Sequence, residues 1–202
     1  QAVGTAAALC RKYDCDPRAL APHIKELQQL IMKDDGFLPG FKNEDKNDKA
    51  LGAEFCASSN IEGGEPTNVS NGISRKLGAS LNAWVSDGIS ENGETLTMKF
   101  AEPETIKQLR LTFDSDFRYP IRITMSANRQ GQQRIGIPAE LVKDYTVELV
   151  KDGKTVKTIE VKNNHQRLNV LDFEPTVCDS VKVNVIATNG ADRVTVYEVR
   201  AY

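Results

Sequence analysis

The sequence predicts a mainly β protein, an antiparallel β-sandwich of jelly-roll type preceded by an N-terminal α-helical hairpin. Apolar residues recur at helical spacing up to about residue 33, and the period changes to two from about Leu51 onwards. The β-rich runs then follow one another closely with no helical pattern between them. The expected division is a helical hairpin at 1–40, a linker at 41–50 and the sandwich at 51–202.

Two stretches predict the helical hairpin. Residues 1–13 are rich in alanine and present a small face suited to close packing. Asp16 followed by Pro17 is typical of a helix start, with an N-cap and a proline at the first helical position. Apolar residues then recur on one face, at Leu20, Ile24, Leu27 and Ile31. Asp-Asp-Gly at 34–36 ends this helix, and Pro-Gly at 39–40 prevents it from resuming.

The charged stretch from Phe41 to Lys49 has few apolar residues and predicts the linker. Beyond it, Asp-Gly at 152–153 lies between two β-rich runs and predicts a hairpin. The parity break between Val156 and Ile159 predicts a bulge in its returning strand. Further β-rich runs are predicted at 95–100, 109–113, 121–123, 145–149, 168–173, 181–187 and 194–202. The long connections 60–81 and 126–141 are candidate binding loops on this scaffold.

Composition excludes several classes of protein. The 26 basic and 28 acidic residues are interspersed, which argues against an electrostatically driven nucleic-acid binder. The apolar runs are shorter than the ~20 residues of a membrane span, so neither nucleic acid nor membrane is an expected partner. The chain opens at Gln1 inside a helix-like pattern with no signal peptide visible, which predicts a fragment of a longer protein and leaves its compartment open.

Residue types that are catalytic in other proteins do not form catalytic motifs in this sequence. No dinucleotide-binding, P-loop or nucleophile-elbow motif is present. His23 and His165 are far apart and unaccompanied, so each is interpreted as packed or solvated. The cysteines lack zinc spacing and are interpreted as buried free thiols, and Asp114 and Asp116 as a solvated turn. The sequence therefore predicts no catalytic residues in this chain.

Five short motifs lie in order along the β part. They are Ala53-Glu-Phe-Cys-Ala-Ser-Ser59, Asn68-Val-Ser-Asn-Gly72, Trp84-Val-Ser86, Leu96-Thr-Met-Lys-Phe100 with Glu102-Pro103 and Ile106, and Tyr197-Glu-Val-Arg-Ala-Tyr202. In this order they resemble the coagulation-factor-5/8 type C family, also called discoidin or galactose-binding-like domains. The resemblance implies loops at one end that bind sugars or lipid headgroups, with a structural cation nearby.

The same resemblance assigns candidate site residues. Asn71 and Gly72 correspond to the cation loop and Glu198 to its closing carboxylate, which together imply a structural Ca²⁺. Asn71 stands where the family usually has Asp, which removes one negative charge. The alternative is a turn at Asn71-Gly72 and a sheet-edge Glu198 without a metal.

Exposed aromatic side chains in loops are candidates for stacking on sugar rings. Trp84, Phe117 and Tyr119 have loop-like positions. The family resemblance places Trp84 where a largely packed residue is expected. Phe117 and Tyr119 are the better candidates for an exposed contact, the alternative being a plug over the end of the sandwich.

The N-terminal residues carry a second resemblance. Gln1-Ala-Val-Gly-Thr-Ala-Ala-Ala-Leu9, followed by Asp16-Pro-Arg18 and Leu27-Gln28, is similar to the end of the flavin domain in bacterial FAD-dependent oxidoreductases. In the intact parent, this resemblance places Gln1, Ala2, Val3 and Gly4 near FAD, at the positive end of a helix dipole. The alternative is a helix of small residues that packs on its neighbour.

Together the two resemblances imply a non-catalytic C-terminal accessory module of an FAD-dependent oxidoreductase. Its partner is the upstream FAD domain of the same chain, and the chain itself holds no cofactor. The alternative is a carbohydrate-binding module that targets the parent enzyme to glycans. A stand-alone adhesion or interaction domain is a third hypothesis, which the N-terminal resemblance disfavours.

Overall fold

The computed structural model describes residues 1–119 and 121–202. Its N-terminal part contains helix α1 (Ala2–Tyr13), a 3₁₀ helix (Pro17–His23) and helix α2 (Ile24–Lys33). The described strands are β1 (Glu54–Ala57), β2 (Trp84–Val85), β3 (Glu94–Phe113), β4 (Val142–Lys151), β5 (Lys154–Val161), β6 (Leu168–Thr188) and β7 (Thr195–Ala201). Across both described ranges, no helix has the length and apolar character needed to cross a membrane.

The two long strands β3 and β6 contribute to both layers of a sandwich. Residues 94–99 of β3 pair with β1 and with the second half of β6, which continues to β4 and β5. Residues 109–113 of β3 pair with β7 and with the first half of β6, and β2 flanks β7. Every one of these pairs is antiparallel, which confirms the predicted antiparallel β architecture with an N-terminal helical part.

The core lies between the layers and is built by the inward-facing residues of these strands. Phe113 and Tyr145 meet edge-on with ring centroids 5.2 Å apart. The Tyr145 hydroxyl donates to the Asn169 side-chain oxygen at 2.8 Å, which satisfies the one polar group of this buried ring. Burial raises the pKa of Tyr145 well above its ordinary value.

The hairpin predicted at Asp152-Gly153 is confirmed. Both residues have positive φ, 50° and 73°, as a type I′ turn requires. The register passes from Leu149↔Lys157 to Val150↔Thr155, so Val156 is an extra residue on β5. The predicted bulge therefore lies in the returning strand.

The second predicted helix begins differently from the expectation. Residues 17–23 form a 3₁₀ helix, and the Asp16 side chain makes no capping hydrogen bond. Pro22 has no N–H to complete an α-helical turn, so the α-helix begins only at Ile24. The change of helix type rotates the apolar face, which leaves Ile24 48% exposed while Leu20 and Ile31 are buried.

One further expectation is wrong. The alternation at 121–123 is not a strand, and both isoleucines are exposed in a loop. The stretch 41–50, predicted as a linker, contains buried polar side chains. Asn43 donates to Asp48 at 2.7 Å, and Asp48 accepts the backbone N–H of Ala201 at 3.0 Å, both side chains being buried. Asp48 therefore satisfies a backbone N–H of β7, which composition does not reveal.

The C-terminal end of α2 packs on two buried arginines. Arg110 on β3 and Arg200 on β7 are direct cross-strand partners, an arrangement that is destabilising for like charges. Arg110 donates to the Lys33 carbonyl at 2.9 Å and to the Asp34 carboxylate at 2.7 Å. Arg200 donates to the Met32 carbonyl at 3.0 Å. The negative end of the helix dipole thus offsets the repulsion within the sheet.

Asp35, the next residue, binds two more arginines. Its carboxylate accepts from Arg75 and, at 2.8 Å, from Nε of Arg167. Its backbone carbonyl also accepts from Arg75 at 2.7 Å. We call the four guanidinium groups the arginine cluster, which comprises Arg75, Arg110, Arg167 and Arg200. This cluster holds the helical part on the sandwich.

Replacing Asp35 tests the cluster. Asp35→Asn keeps the shape of the side chain and tolerates the local φ of 61°, but removes the charge between Arg75 and Arg167. We expect the free energy of unfolding to fall by about 2 kcal/mol because two partly buried guanidinium groups lose their counter-ion. Urea denaturation followed by the fluorescence of Trp84, the single tryptophan, measures the change.

The matched control is Asp152→Asn, which makes the same substitution at a similar φ of 50° on an exposed turn. It is expected to leave the urea midpoint nearly unchanged. Equal losses in both variants would contradict a special role for Asp35.

Candidate functional site

A cleft of about 720 Å³ opens where β3 ends and β7 begins. We call it the loop cleft. Its polar and aromatic lining residues are Arg75, Lys76, Asp114, Asp116, Phe117, Arg118, Glu140, Asp192, Arg193, Thr195 and Tyr197. Part of it comes from the long connection 60–81, which the sequence marks as a candidate binding loop.

A β-bulge directs Tyr197 into the loop cleft. The register passes from Thr112↔Glu198 to Phe113↔Val196, so Tyr197 is the extra residue on β7. Bulges next to binding sites commonly redirect a side chain in this way. Burial raises the pKa of Tyr197 to about 12. Its hydroxyl, like that of any tyrosine at neutral pH, is able to donate a hydrogen bond.

Phe117 stands at the rim of the loop cleft and is 59% exposed. The guanidinium groups of Arg75 and Arg167 lie 4.8 Å and 4.6 Å from the centroid of its ring. Arg167 also lies 4.9 Å from the Tyr197 ring. Cations at these distances are attracted to an aromatic face, so the two arginines position Phe117 while leaving much of the ring accessible.

Asp114 and Asp116 fold the loop that carries Phe117. The Asp114 carboxylate accepts the backbone N–H of Asp116 at 2.8 Å, and its own N–H donates to the Thr195 carbonyl at 3.2 Å. Burial raises the pKa of Asp114, with this hydrogen bond and Arg167 acting in the opposite direction. Asp114 is thus a carboxylate in a partly dehydrated cleft.

Asp116 is buried, which corrects its interpretation as part of a solvated turn. Its two carboxylate oxygens bind Arg118 and Arg134, the latter at 3.0 Å, and Arg134 continues to Glu140 at 3.0 Å. The hydrogen bond from Arg118 lowers the pKa of Asp116. These ion pairs connect the two ends of the segment 117–139.

The other two aromatic candidates differ in exposure. Tyr119 is half-exposed, and the Arg134 guanidinium lies 4.1 Å from its ring centroid. Trp84 is fully buried, and its indole N–H donates to the Ser59 carbonyl at 2.8 Å. Because β2 places Trp84 in the core, neither face of its ring is accessible to a ligand. Trp84 is therefore not a ligand-contact residue.

The residues implied as a cation site each bind another part of the chain. The Asn71 side chain accepts from the Ile73 N–H at 2.9 Å and donates to Asn82 at 3.1 Å. The Gly72 carbonyl accepts from Asn43 N–H at 2.9 Å. Glu198 is the closing carboxylate in this implied set.

Glu198 lies 3.0 Å from Nε of Arg200, with both side chains buried. Burial raises the pKa of Glu198, and Arg200 acts in the opposite direction. A divalent cation beside Glu198 would be repelled by this guanidinium, and Glu198 is the one carboxylate that lines the small cavity it shares with Gly72. This set does not fit a Ca²⁺ ion, since Arg200 already supplies the positive charge.

The remaining candidate metal ligands are dispersed over the described ranges. No group of three His, Cys, Asp or Glu side chains there is arranged to hold a metal. His23 stacks on Tyr13 with centroids 3.6 Å apart, and His165 is exposed. The four cysteines are free thiols, but of these only Cys178 is buried, whereas Cys56 faces solvent on β1. The expectation of buried thiols is thus confirmed for Cys178 and wrong for Cys56, while Cys10 and Cys15 are half-buried.

The residues implied to lie near a flavin are at the start of α1. Gln1, Ala2, Val3 and Gly4 are all exposed, and a Cβ at Gly4 would meet no atom within 4 Å. The buried residue of this helix is Leu9. The first residues of α1 are therefore exposed, while its later residues pack on the 3₁₀ helix and on α2.

The arrangement around Glu198 gives a prediction on metal dependence. We expect neither EDTA nor excess Ca²⁺ to change the melting temperature, because the guanidinium of Arg200 fills the cation's role. Arg200→Met should lower the free energy of unfolding by about 3 kcal/mol by leaving Glu198 buried and unpaired. Adding Glu198→Gln to Arg200→Met should recover part of that loss. A melting temperature that rises with Ca²⁺ would contradict the assignment.

Comparisons with known proteins identify the fold. No protein-family model matches the chain, and no curated protein matches it in sequence. Among solved structures, it is similar to a fucose binding module of Streptococcus pneumoniae, with a TM-score of 0.58 and 15% identity over 79% of this chain and 97% of that one.

Two further solved structures are similar. One is chitosan-binding module 1 of a chitosanase/glucanase from Paenibacillus sp. IK-5, with a TM-score of 0.55 and 14% identity over 77% of this chain and 98% of that one. The other is the family 32 carbohydrate-binding module of C. perfringens NanJ in complex with galactose, with a TM-score of 0.53 and 11% identity over 76% and 96%. The chain thus has the galactose-binding-like β-sandwich fold of these carbohydrate-binding modules.

Proposed function

We propose that this chain is a glycan-binding module and that it binds sugar in the loop cleft. The observation that carries the proposal is the exposed ring of Phe117 at the rim of a concave site that also contains Asp114 and Tyr197. The named neighbours with the same fold bind fucose, chitosan and galactose, which supports a glycan over other ligand classes.

The cleft offers the two kinds of contact that a sugar needs. An aromatic ring packs on the apolar C–H face of a pyranose, and Phe117 presents such a ring. Carboxylate and guanidinium groups hydrogen-bond to hydroxyls, and Asp114 and Arg193 line the same space. A volume of about 720 Å³ lies within the range of roughly 300–1,000 Å³ typical of small-ligand sites.

Removing the aromatic ring tests the proposal. We expect the wild-type chain to give saturable binding on a glycan array, and Phe117→Ala to weaken it at least about tenfold through loss of the stacking contact. Isothermal titration with the best glycan measures the change. Asp114→Asn should weaken the same titration because its charged acceptor is lost.

The matched control is Phe41→Ala, which removes a comparably exposed phenylalanine that does not line the loop cleft. It should bind like the wild type. The absence of saturable binding to any glycan, or equal losses in both phenylalanine variants, would refute the proposal.

We also propose that the chain serves as an accessory module of an FAD-dependent oxidoreductase, joined to an upstream FAD domain. The supporting observation is the exposed start of α1, where the small residues Ala2 to Gly4 are accessible to another domain. In this role the chain would direct the enzyme to a glycan and contribute no catalytic group.

This proposal predicts that the purified chain binds no flavin. We expect a colourless preparation, and no quenching of free FAD fluorescence on addition of the chain, because a helix start alone does not enclose an isoalloxazine ring. The natural full-length protein, purified from its source, should show the flavin absorbance band. A yellow preparation of the isolated chain, or a colourless full-length protein, would overturn it.

A further inference from the structure

We propose that the glycan bound by this chain is anionic, with carboxylate or sulfate groups that contact Arg122 and Arg129. This inference rests on the proposed function and adds the class of glycan. A second cleft of about 480 Å³, which we call the basic cleft, carries the argument. It is lined by Arg118, Tyr119, Arg122, Arg129, Gln132 and Gln133.

The basic cleft adjoins the loop cleft at Arg118. Arg118 lines both, and Tyr119 follows it directly in the chain. Phe117 stands on the loop-cleft side of this boundary. An extended oligosaccharide with one ring on Phe117 would therefore reach the basic cleft with its neighbouring units, passing the half-exposed ring of Tyr119.

The charge of the segment favours an anion. Residues 117–139 contain four arginines and no acidic residue. Asp116 and Glu140, just outside both ends, bind Arg118 and Arg134. Within the described part of the chain, Arg122 and Arg129 form no salt bridge, and no carboxylate lines the basic cleft, so these two guanidinium groups carry its uncompensated charge.

Hydrogen bonds fix the backbone that carries these two arginines. The Gln133 side chain accepts the N–H of Arg122 at 3.1 Å and donates to its carbonyl at 2.8 Å. Arg129 lies on the short helix Ala127–Gly131, and the side chain of the adjacent Gln130 donates to the Thr124 carbonyl at 2.7 Å. The backbone positions of both arginines are thus set before a ligand arrives, which lowers the part of the entropy cost of binding that comes from ordering the loop.

The chemistry of the lining matches acidic sugars. The planar guanidinium group forms paired hydrogen bonds to carboxylate and sulfate oxygens, which gives it selectivity for these groups over hydroxyls. The side-chain amide of Gln132 and the hydroxyl of Tyr119 supply neutral donors and acceptors for the remaining sugar hydroxyls. Because both arginines are exposed, the contribution of charge should weaken as salt rises.

An anionic membrane is the other surface that arginines could meet, and the same segment exposes Ile121, Ile123, Met125 and Ile135. None of these aliphatic side chains lines the basic cleft. A concave, polar site beside an aromatic ring suits a polymer chain better than a flat lipid surface. The observations therefore favour the glycan, and vesicle binding becomes an outcome of the test.

The experiment titrates the whole chain with polygalacturonate, heparin and neutral galactan. We expect wild-type affinity to be higher for one of the two polyanions than for galactan, and to fall with added salt. The double variant Arg122→Gln/Arg129→Gln should weaken polyanion binding at least about tenfold. It should change galactan binding by less than about twofold.

The matched control is Arg11→Gln/Arg18→Gln, which removes the same charge from exposed positions in the helical part. It should leave polyanion binding nearly unchanged. Equal losses in both double variants would reveal non-specific charge attraction and overturn the inference.

Two other outcomes separate this inference from the proposed function. Binding of neutral glycans with no preference for polyanions would overturn the anionic class and leave glycan binding intact. The absence of binding to every glycan would remove both. Co-sedimentation with phosphatidylserine vesicles that is lost in Arg122→Gln/Arg129→Gln, without polyanion binding, would assign the segment to a membrane surface and also overturn the inference.

Discussion

Two arginines face each other across neighbouring strands of the sheet, and both are buried. Arg110 and Arg200 would repel one another if the outer face of β3 and β7 were covered by apolar side chains. Glu198 on β7 already pairs with Arg200, and the carbonyl groups at the end of α2 and the carboxylate of Asp34 supply further negative charge to the two arginines. The helical part and the sandwich therefore stabilise each other electrostatically. If they were separated, the polar and charged groups on each contact surface would lose these partners.

This dependence extends to the candidate binding site. Asp35 holds Arg75 and Arg167, and the same two guanidinium groups lie against the ring of Phe117. The Asp35 carboxylate, which follows α2, thus positions the two guanidinium groups that lie against the ring of Phe117. The site is assembled from parts of the chain that are far apart in sequence, which explains why its geometry is absent from any local motif.

The sequence was most informative where the physics is local. The Asp152-Gly153 hairpin follows from backbone preferences of two residues, and its bulge follows from side-chain parity. The rotation of α2 by Pro22 and the loop conformation of Ile121 were missed, because short patterns do not resolve helix type or tertiary pairing. The exposure of Phe117 agrees with its choice as a candidate for an exposed contact.

The arginine cluster was also missed, although a signal for it exists. Asp34 and Asp35 follow the end of a helix, where the dipole disfavours negative charge. Two carboxylates at that position indicate that positively charged side chains from other parts of the fold contact the end of this helix. The bulge that turns Tyr197 into the loop cleft has no comparable signature, since it depends on how β7 aligns with β3.

The sequence distance between the bonded groups has a consequence for biosynthesis. The hydrogen bond between Met32 and Arg200 spans 168 positions, and the pair formed by Asp35 and Arg167 spans 132. During translation the helices leave the ribosome long before Arg167 and Arg200 have been synthesised. The residues of the helical part therefore remain undocked and accessible to chaperones until nearly the last strand has emerged.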